Sequence, residues 1–147
     1  MRIEALKKSD LQKCSELYVK VFNVSPWNDK WTKATAFERL HDIYKSPRFI
    51  GLKCTKSTKM IGALFGNNEA WYKGYHFQIK EMFVDPKYQR SGIGSIMMTK
   101  IEGILKKKNV KAINLLTTSK YWVKKFYLKH KYRTIFDMQL MIKYLKK

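Results

Sequence analysis

Val84-Asp85-Pro86-Lys87-Tyr88-Gln89-Arg90-Ser91-Gly92-Ile93-Gly94 decides how this chain is read. Upstream of it, Tyr75 to Val84 is a long apolar stretch with strand character. Downstream, Ile93, Ile96, Met97, Ile101, Ile104 and Leu105 recur at helical spacing, with Lys100, Glu102, Lys106 and Lys107 between them. A strand, a glycine-containing turn and a helix, in that order, set backbone N–H groups at a helix N-terminus. There the glycines let a phosphate approach and the helix dipole favours its charge. The stretch therefore predicts a site for a phosphorylated ligand. It departs from the dinucleotide-binding fingerprint, which needs a third glycine in the helix and an acid about 20 residues further on.

Working outward, Ala112 to Leu116 reads as a short strand, and a strand-helix-strand unit of this length implies parallel pairing with Tyr75 to Val84. Before the long strand, Phe49 to Cys54 and Met60 to Phe65 form a hairpin around Lys56-Ser57-Thr58, followed by a polar loop at Gly66 to Asn68 and a turn near Gly74. Arg2 to Leu6 is a first strand. Ser9 and Gln12 suggest a capping box for a helix carrying Leu11, Cys14, Leu17, Tyr18, Val21 and Phe22. A second helix from about Thr32 carries Phe37, Leu40, Ile43 and Tyr44 and stops at Ser46-Pro47. Trp122, Val123, Phe126 and Tyr127 mark a last helix, and Tyr132 to Leu145 has room for two strands turning near Phe136-Asp137. The pattern is α+β: a mixed, mostly antiparallel sheet of about six or seven strands with one parallel pair, flanked by about four helices. No linker, repeat or shift in composition divides residues 1–147, so one domain is expected.

The chain has 147 residues, enough to bury a core. Hydrophobic residues at 45% and aromatics at 14% exclude a disordered polycation, although 31 basic residues face 11 acidic ones for a formal charge of +20. The excess is nearly all lysine, spread along the whole chain, with arginine confined to Arg2, Arg39, Arg48, Arg90 and Arg133. Diffuse lysine reads as a solvated surface whose field attracts an anionic ligand. Cys14 and Cys54 fall in a helix and a strand without metal-ligand spacing, as buried free thiols do. His41, His76 and His130 show no ligand spacing either, and no metal is expected. With no signal-like or membrane-length apolar run, the expected location is the cytoplasm, with no membrane partner.

Gln89, Gly92 and Gly94, preceded by Val84-Asp85-Pro86, resemble motif A of the GNAT family of N-acetyltransferases, whose pattern is R/Q-x-x-G-x-G/A. The order of elements is similar to that family's fold over essentially the whole chain. The resemblance implies acetyl-coenzyme A as acyl donor, its pyrophosphate held by the amides of Gln89, Arg90, Ser91, Gly92, Ile93 and Gly94, with Arg90 as an added positive contact. It places the pantetheine arm in a splay between the two parallel strands, against the backbone of Phe83 and Val84. Phe126-Tyr127-x-Lys129 is similar to the family's FYxKxGF segment, which implies Tyr127 as the acid that protonates the leaving thiolate. Lys131 and Tyr132 stand where the segment continues with glycine and phenylalanine, and Lys120 replaces the asparagine that contacts the pantetheine.

Glu81 is the most informative acid. With regular alternation it shares a face with Phe77, Ile79 and Phe83, where an unpartnered carboxylate is expensive. A cationic acceptor would offset that cost, so Glu81 is the candidate to bind the acceptor ammonium or take its proton; a salt bridge to a lysine is the alternative. Glu69 on the neighbouring strand, and Trp27 and Asp29 in the loop Pro26 to Trp31, are candidate acceptor contacts. That loop, with Glu69, Trp71 and Glu81, is loosely similar to aminoglycoside 6'-N-acetyltransferase-type members. The expected activity is direct transfer of acetyl to a small cationic primary amine, aminoglycoside or polyamine-like, in a ternary complex. A protein N-terminus or lysine is the alternative acceptor, and a basic nucleic-acid or ribosome-binding module without catalysis is the competing class. Family members of this size imply a homodimer as one candidate assembly.

Overall fold

The computed structural model describes residues 1–146. The chain divides into two compact units, Met1–Leu116 and the part from Thr117 onward.

The first unit is a mixed sheet with helices. Strands β1 (Arg2–Ala5), β2 (Phe49–Lys56), β3 (Lys59–Ala70), β4 (Tyr75–Val84) and β5 (Val110–Leu115) lie in the order β1-β2-β3-β4-β5. The first four pair antiparallel and β4–β5 is parallel. Helices α1 (Leu11–Phe22) and α2 (Lys33–Tyr44) precede β2, and α3 (Ile93–Leu105) makes the crossover from β4 to β5. The mixed sheet with its one parallel pair agrees with the expected fold class.

Core packing follows the sequence periodicities. Leu11, Cys14, Leu17, Tyr18 and Val21 of α1 and Ala36 and Leu40 of α2 bury against Met60, Ala63, Phe65 and Phe83 of the sheet. A second cluster joins Ile93 and Met97 of α3 to Cys54 and Ile61. Each large aliphatic or aromatic side chain so buried contributes about 1.5–3 kcal/mol relative to exposure. This packing holds the sheet between α1/α2 and α3.

Local structure departs from expectation at three places. Ser9 and Gln12 do not cap α1; a single 3-10 turn at Lys8–Asp10 precedes it, and Asp10 accepts the Lys7 N–H at 2.8 Å. Thr32 and Thr35 form the reciprocal cap, at the start of α2, each backbone N–H donating to the other's hydroxyl at 3.0 Å. The polar loop expected at Gly66 to Asn68 is strand: β3 runs on through a bulge at Phe65/Gly66 and pairs with Phe77 and Gln78. A side chain on Gly66 would collide with the Phe77 ring, so glycine is what lets the two strands stay paired there.

The second unit contains α4 (Tyr121–Lys129). Without the family's glycine, the helix still ends on a left-handed residue: Lys131 has φ +65°. Lys131 N–H donates to Leu128 C=O at 2.9 Å and Tyr132 N–H to Tyr127 C=O at 3.1 Å, the pairing of a Schellman cap. The turn expected at Phe136-Asp137 forms, with Met138 N–H donating to Ile135 C=O at 3.4 Å. The two strands expected across Tyr132 to Leu145 do not, and among the described residues the sheet has five strands rather than six or seven. The apolar residues there have strand propensity, but no ladder satisfies their backbone, and propensity alone does not make a strand.

Candidate active site

The Val84–Gly94 turn is held by its own side chains. Asp85 is fully buried, and its carboxylate accepts from Lys20 Nζ at 2.9 and 2.8 Å and from the Lys87 N–H at 3.0 Å, with Lys59 Nζ at 3.3 Å. Its backbone N–H donates to Ile61 C=O at 2.9 Å. One residue thus ties the turn to α1 and β3. Burial alone would raise the Asp85 pKa, but the hydrogen bonds from Lys20, the Lys87 amide and Lys59 outweigh it, and the carboxyl lies below its ordinary value. Gln89 Nε2 donates to Val84 C=O at 3.0 Å, and Ser91 Oγ donates to Tyr88 C=O. The side chains of Gln89 and Ser91 therefore brace the turn.

Gly92 then starts α3 at φ +86°, a conformation that glycine adopts without the Cβ penalty, and no side chain caps the helix. A Cβ built on Gly92 would meet no atom within 4 Å, so the space beside this N-terminus is open. Cations surround the turn: Lys56, Lys59 and Lys87 place their ammonium groups 5.4, 5.8 and 6.0 Å from the Tyr88 ring centre. Arg90 is exposed in the same turn, at φ +60°. The Gln89 N–H donates to Pro86 C=O at 3.4 Å, and beyond it a helix N-terminus without a side-chain cap, open space and positive potential suit a pyrophosphate.

Beside the turn, the parallel pair comes apart. Register between β4 and β5 runs from Tyr75↔Val110 to Ile79↔Leu115 and stops. Among the described residues, β4 from Glu81 to Val84 is paired on its β3 side alone, where Met82, Phe83 and Val84 face Leu64, Ala63 and Gly62, and Lys80 sits at the bulge without a register partner. Phe83 turns its backbone toward β3, on the same side as the Asp85 N–H that donates to Ile61, and Val84 C=O accepts from Gln89. The Val84 N–H is therefore the group at this edge that faces an extended arm lying alongside, while the Phe83 side chain stays in the core, 3% exposed.

Glu81 is nearly buried, and its partner is an arginine. Arg39 Nε and Tyr18 Oη both donate to Glu81 Oε1, the latter at 3.0 Å. Burial raises the Glu81 pKa, Arg39 and Tyr18 pull against it, and nearby Asp29 raises it again; the net value lies above that of an ordinary glutamate. Burial and the Glu81 charge also push the Tyr18 phenol far up, which makes it a hydrogen-bond donor that does not release its proton. Asp29 accepts from Trp31 Nε1 at 3.1 Å, and aromatic contacts continue from Trp31 to Tyr18 (5.2 Å), Tyr18 to Phe22 (4.5 Å) and Phe22 to Trp27 (5.7 Å). Trp27, Asp29 and Glu81 thus belong to one cluster. Glu69 stands apart from it, with its carboxylate 3.7 Å from Lys80 Nζ.

Sequence reasoning did not find Tyr18, Lys20, Arg39 or Lys59. Only Arg39 offered a signal: an arginine within an apolar-patterned helix of a lysine-rich chain, presenting the planar fork that suits a carboxylate. Tyr127 lies on α4, where its ring packs against Phe126 at 5.1 Å and Tyr132 at 5.7 Å. Cys14 is fully buried with its thiol pushed up to about 12 by desolvation, and Cys54 is also buried with its pKa raised. Neither thiol is a nucleophile near neutral pH. Among the described residues, no group of three or more His, Cys, Asp or Glu could hold a metal, and no helix is long and apolar enough to cross a membrane.

Solved structures share this fold. A possible acetyltransferase from Clostridium difficile 630 superposes with a TM-score of 0.82 at 15% identity, over 99% of this chain and 98% of that one. An aminoglycoside acetyltransferase from an uncultured soil metagenomic sample, in complex with sisomicin, gives 0.73 at 18%, over 99% and 96%. The aminoglycoside antibiotic 6'-N-acetyltransferase of Acinetobacter haemolyticus gives 0.70 at 15%, over 100% and 99%. At these identities the likeness is one of fold. No curated protein matches the sequence. The acetyltransferase (GNAT) family model matches residues 11–132, which span the turn, the splayed strand and α4, and the chain belongs to that family of acetyltransferases, which use acetyl-coenzyme A as acyl donor.

Proposed function

We propose that the whole chain is one acetyltransferase domain that moves the acetyl group of acetyl-coenzyme A to a primary amine by direct attack. The observation that carries this reading is the union of an open, uncapped α3 N-terminus at Gly92 with the unpaired edge of β4 from Lys80 to Val84. The amides from Arg90 to Gly94 would hold the pyrophosphate, with the Arg90 side chain beside them, the Gln89 N–H being donated to Pro86 C=O. Of the expected pair Phe83 and Val84, the Val84 backbone would lie against the pantetheine and donate its N–H to the thioester carbonyl as charge develops on its oxygen, Phe83 facing β3 instead. The amine nitrogen bonds to the carbonyl carbon, the carbon–sulfur bond breaks, the amine gives up a proton and the thiolate accepts one. The two inert, buried thiols favour direct transfer over an acyl-cysteine.

The acceptor reading is a small cationic amine. Two carboxylates, Asp29 and Glu81, and one guanidinium, Arg39, leave this cluster negative within a strongly basic protein. Both hydrogen bonds to Glu81 end on Oε1, which leaves Oε2 to receive an ammonium or its proton. The aromatic rings around it suit the same cation. Two of the structurally similar proteins act on aminoglycosides, which makes these the first acceptors to test.

The test is release of free coenzyme A thiol from acetyl-coenzyme A across aminoglycosides, polyamines, amino acids and N-terminal peptides, with a thermal shift on acetyl-coenzyme A alone. Release with cationic small amines supports the reading; release with peptides alone overturns the acceptor. A blank panel without a thermal shift overturns the cofactor site. Tyr127, carried over from the family's helix segment, is the proposed proton donor to the thiolate. Tyr127→Phe is expected to lower kcat about a hundredfold with the coenzyme-induced thermal shift unchanged, and an unaltered pH–rate profile would remove the role.

A further inference from the structure

The turn between β3 and β4 lies at the other end of β4 from Gly92, ten residues of strand away, or about 33 Å at ~3.3 Å per residue. Nothing in the proposed reaction uses it. Gly74, at φ +75°, closes it, with Trp71 N–H donating to Gly74 C=O at 3.1 Å. Trp71 is 51% exposed and Tyr72 88% exposed. Trp71 is held flat against His76, centroids 4.5 Å apart and planes at 16°, so a rigid ring is presented outward.

Cations converge on the same tip from three segments. Arg48 lies 5.3 Å from the Tyr75 ring centre, oriented by its Nε bond to Asn68 C=O at 2.8 Å. Tyr75 N–H donates to Asn109 C=O at 3.2 Å, which brings the exposed run Lys106-Lys107-Lys108 to the start of β4. Lys111 Cε would lie 3.2 Å from a Cβ on Gly74, and Lys73 is in the turn itself. Glu69, the acid in this part of β3, is paired with Lys80. Lys73, Lys106, Lys107, Lys108 and Lys111 thus stand with Arg48 around exposed aromatic faces.

We propose that this end of the sheet docks single-stranded nucleic acid. Exposed rings stack on unpaired bases, each worth about 1–3 kcal/mol, while lysine and arginine neutralise the backbone phosphates. A duplex would hide the base faces that the rings need. A membrane-surface site would add large aliphatic side chains for insertion, and Ala70 to His76 contains none.

Fluorescence anisotropy of a labelled short oligouridylate with the full-length protein tests this across a salt series. Binding should fall with a log–log slope of about −4 if Arg48, Lys73, Lys106, Lys107, Lys108 and Lys111 each neutralise one phosphate. Replacing Lys106, Lys107 and Lys108 together by Gln should reduce that slope by about 2. Trp71→Ala with Tyr72→Ala should weaken binding at least tenfold at unchanged slope, and Trp71→Phe with Tyr72→Phe should restore most of it, which separates stacking from misfolding. No binding at low salt, or equal binding by the alanine variant, would overturn the proposal. So would equal affinity for inorganic polyphosphate, which has no bases, or binding to phosphatidylserine vesicles in place of the oligonucleotide.

Discussion

The Val84–Gly94 turn and the Glu81 cluster lie along the same strand and are built in opposite ways. In the turn, side chains such as Asp85, Gln89 and Ser91 set the backbone, and the proposed ligand contacts are backbone amides. In the cluster the proposed contacts are the side chains themselves, from α1, α2, β4 and the loop between the two helices. A contiguous backbone site writes itself into a short motif. A site of converging side chains does not, because its members are separated by tens of residues and meet only when the helices pack on the sheet.

The sharpest way to break this comparison is Gly92→Glu. It forces a left-handed conformation costing about 1–2 kcal/mol and sets a carboxylate where the pyrophosphate should sit. Acetyl-coenzyme A binding should fall roughly a hundredfold or more, read as loss of the ligand-induced thermal shift on a protein whose circular dichroism is unchanged. Normal binding would show that the turn is structural alone.

Glu81→Gln addresses the other region. It keeps an acceptor for the Tyr18 and Arg39 donors and removes the charge, so the thermal shift with acetyl-coenzyme A should persist. Acceptor kcat/KM should drop about tenfold to a hundredfold. An equal loss in coenzyme affinity would mean that the two regions are one site energetically.

A smaller effect tests whether Asp85 links them. Lys20→Met strips one partner from a buried carboxylate just ahead of the proposed pyrophosphate turn, and the acetyl-coenzyme A KM should rise about tenfold with kcat little changed. Adding Asp85→Asn in that background should restore most of the loss, because the amide still accepts the Lys87 N–H without a charge. The same carboxyl sets a pH signature. Its folded value lies below the ordinary 3.8, so its contribution to stability is complete above 3.8 and is lost as pH falls through the lower folded value. The gap in Tm between wild type and Asp85→Asn should therefore close in that acid range.

What was legible in the amino-acid order is whatever depends on near neighbours. Gly92 was readable because a strand-to-helix turn needs φ +86° there, and the parallel β4–β5 pair because the α3 crossover demands it. Polar Gly66 to Asn68 misled, since a loop composition became buried strand once β4 supplied hydrogen bonds and the Phe77 ring needed the space over Gly66. Tyr132 to Leu145 misled in the opposite sense, with strand propensity and no ladder. By itself the sequence determined the family, the turn and the expectation that Glu81 needs a cation. Only the tertiary structure decided that the cation is Arg39, that Asp85 is held by Lys20 and Lys59, and that Glu69 stands apart. Backbone geometry is set within a few residues, whereas the partner of a charge is set by which surfaces the packed core brings within hydrogen-bond reach.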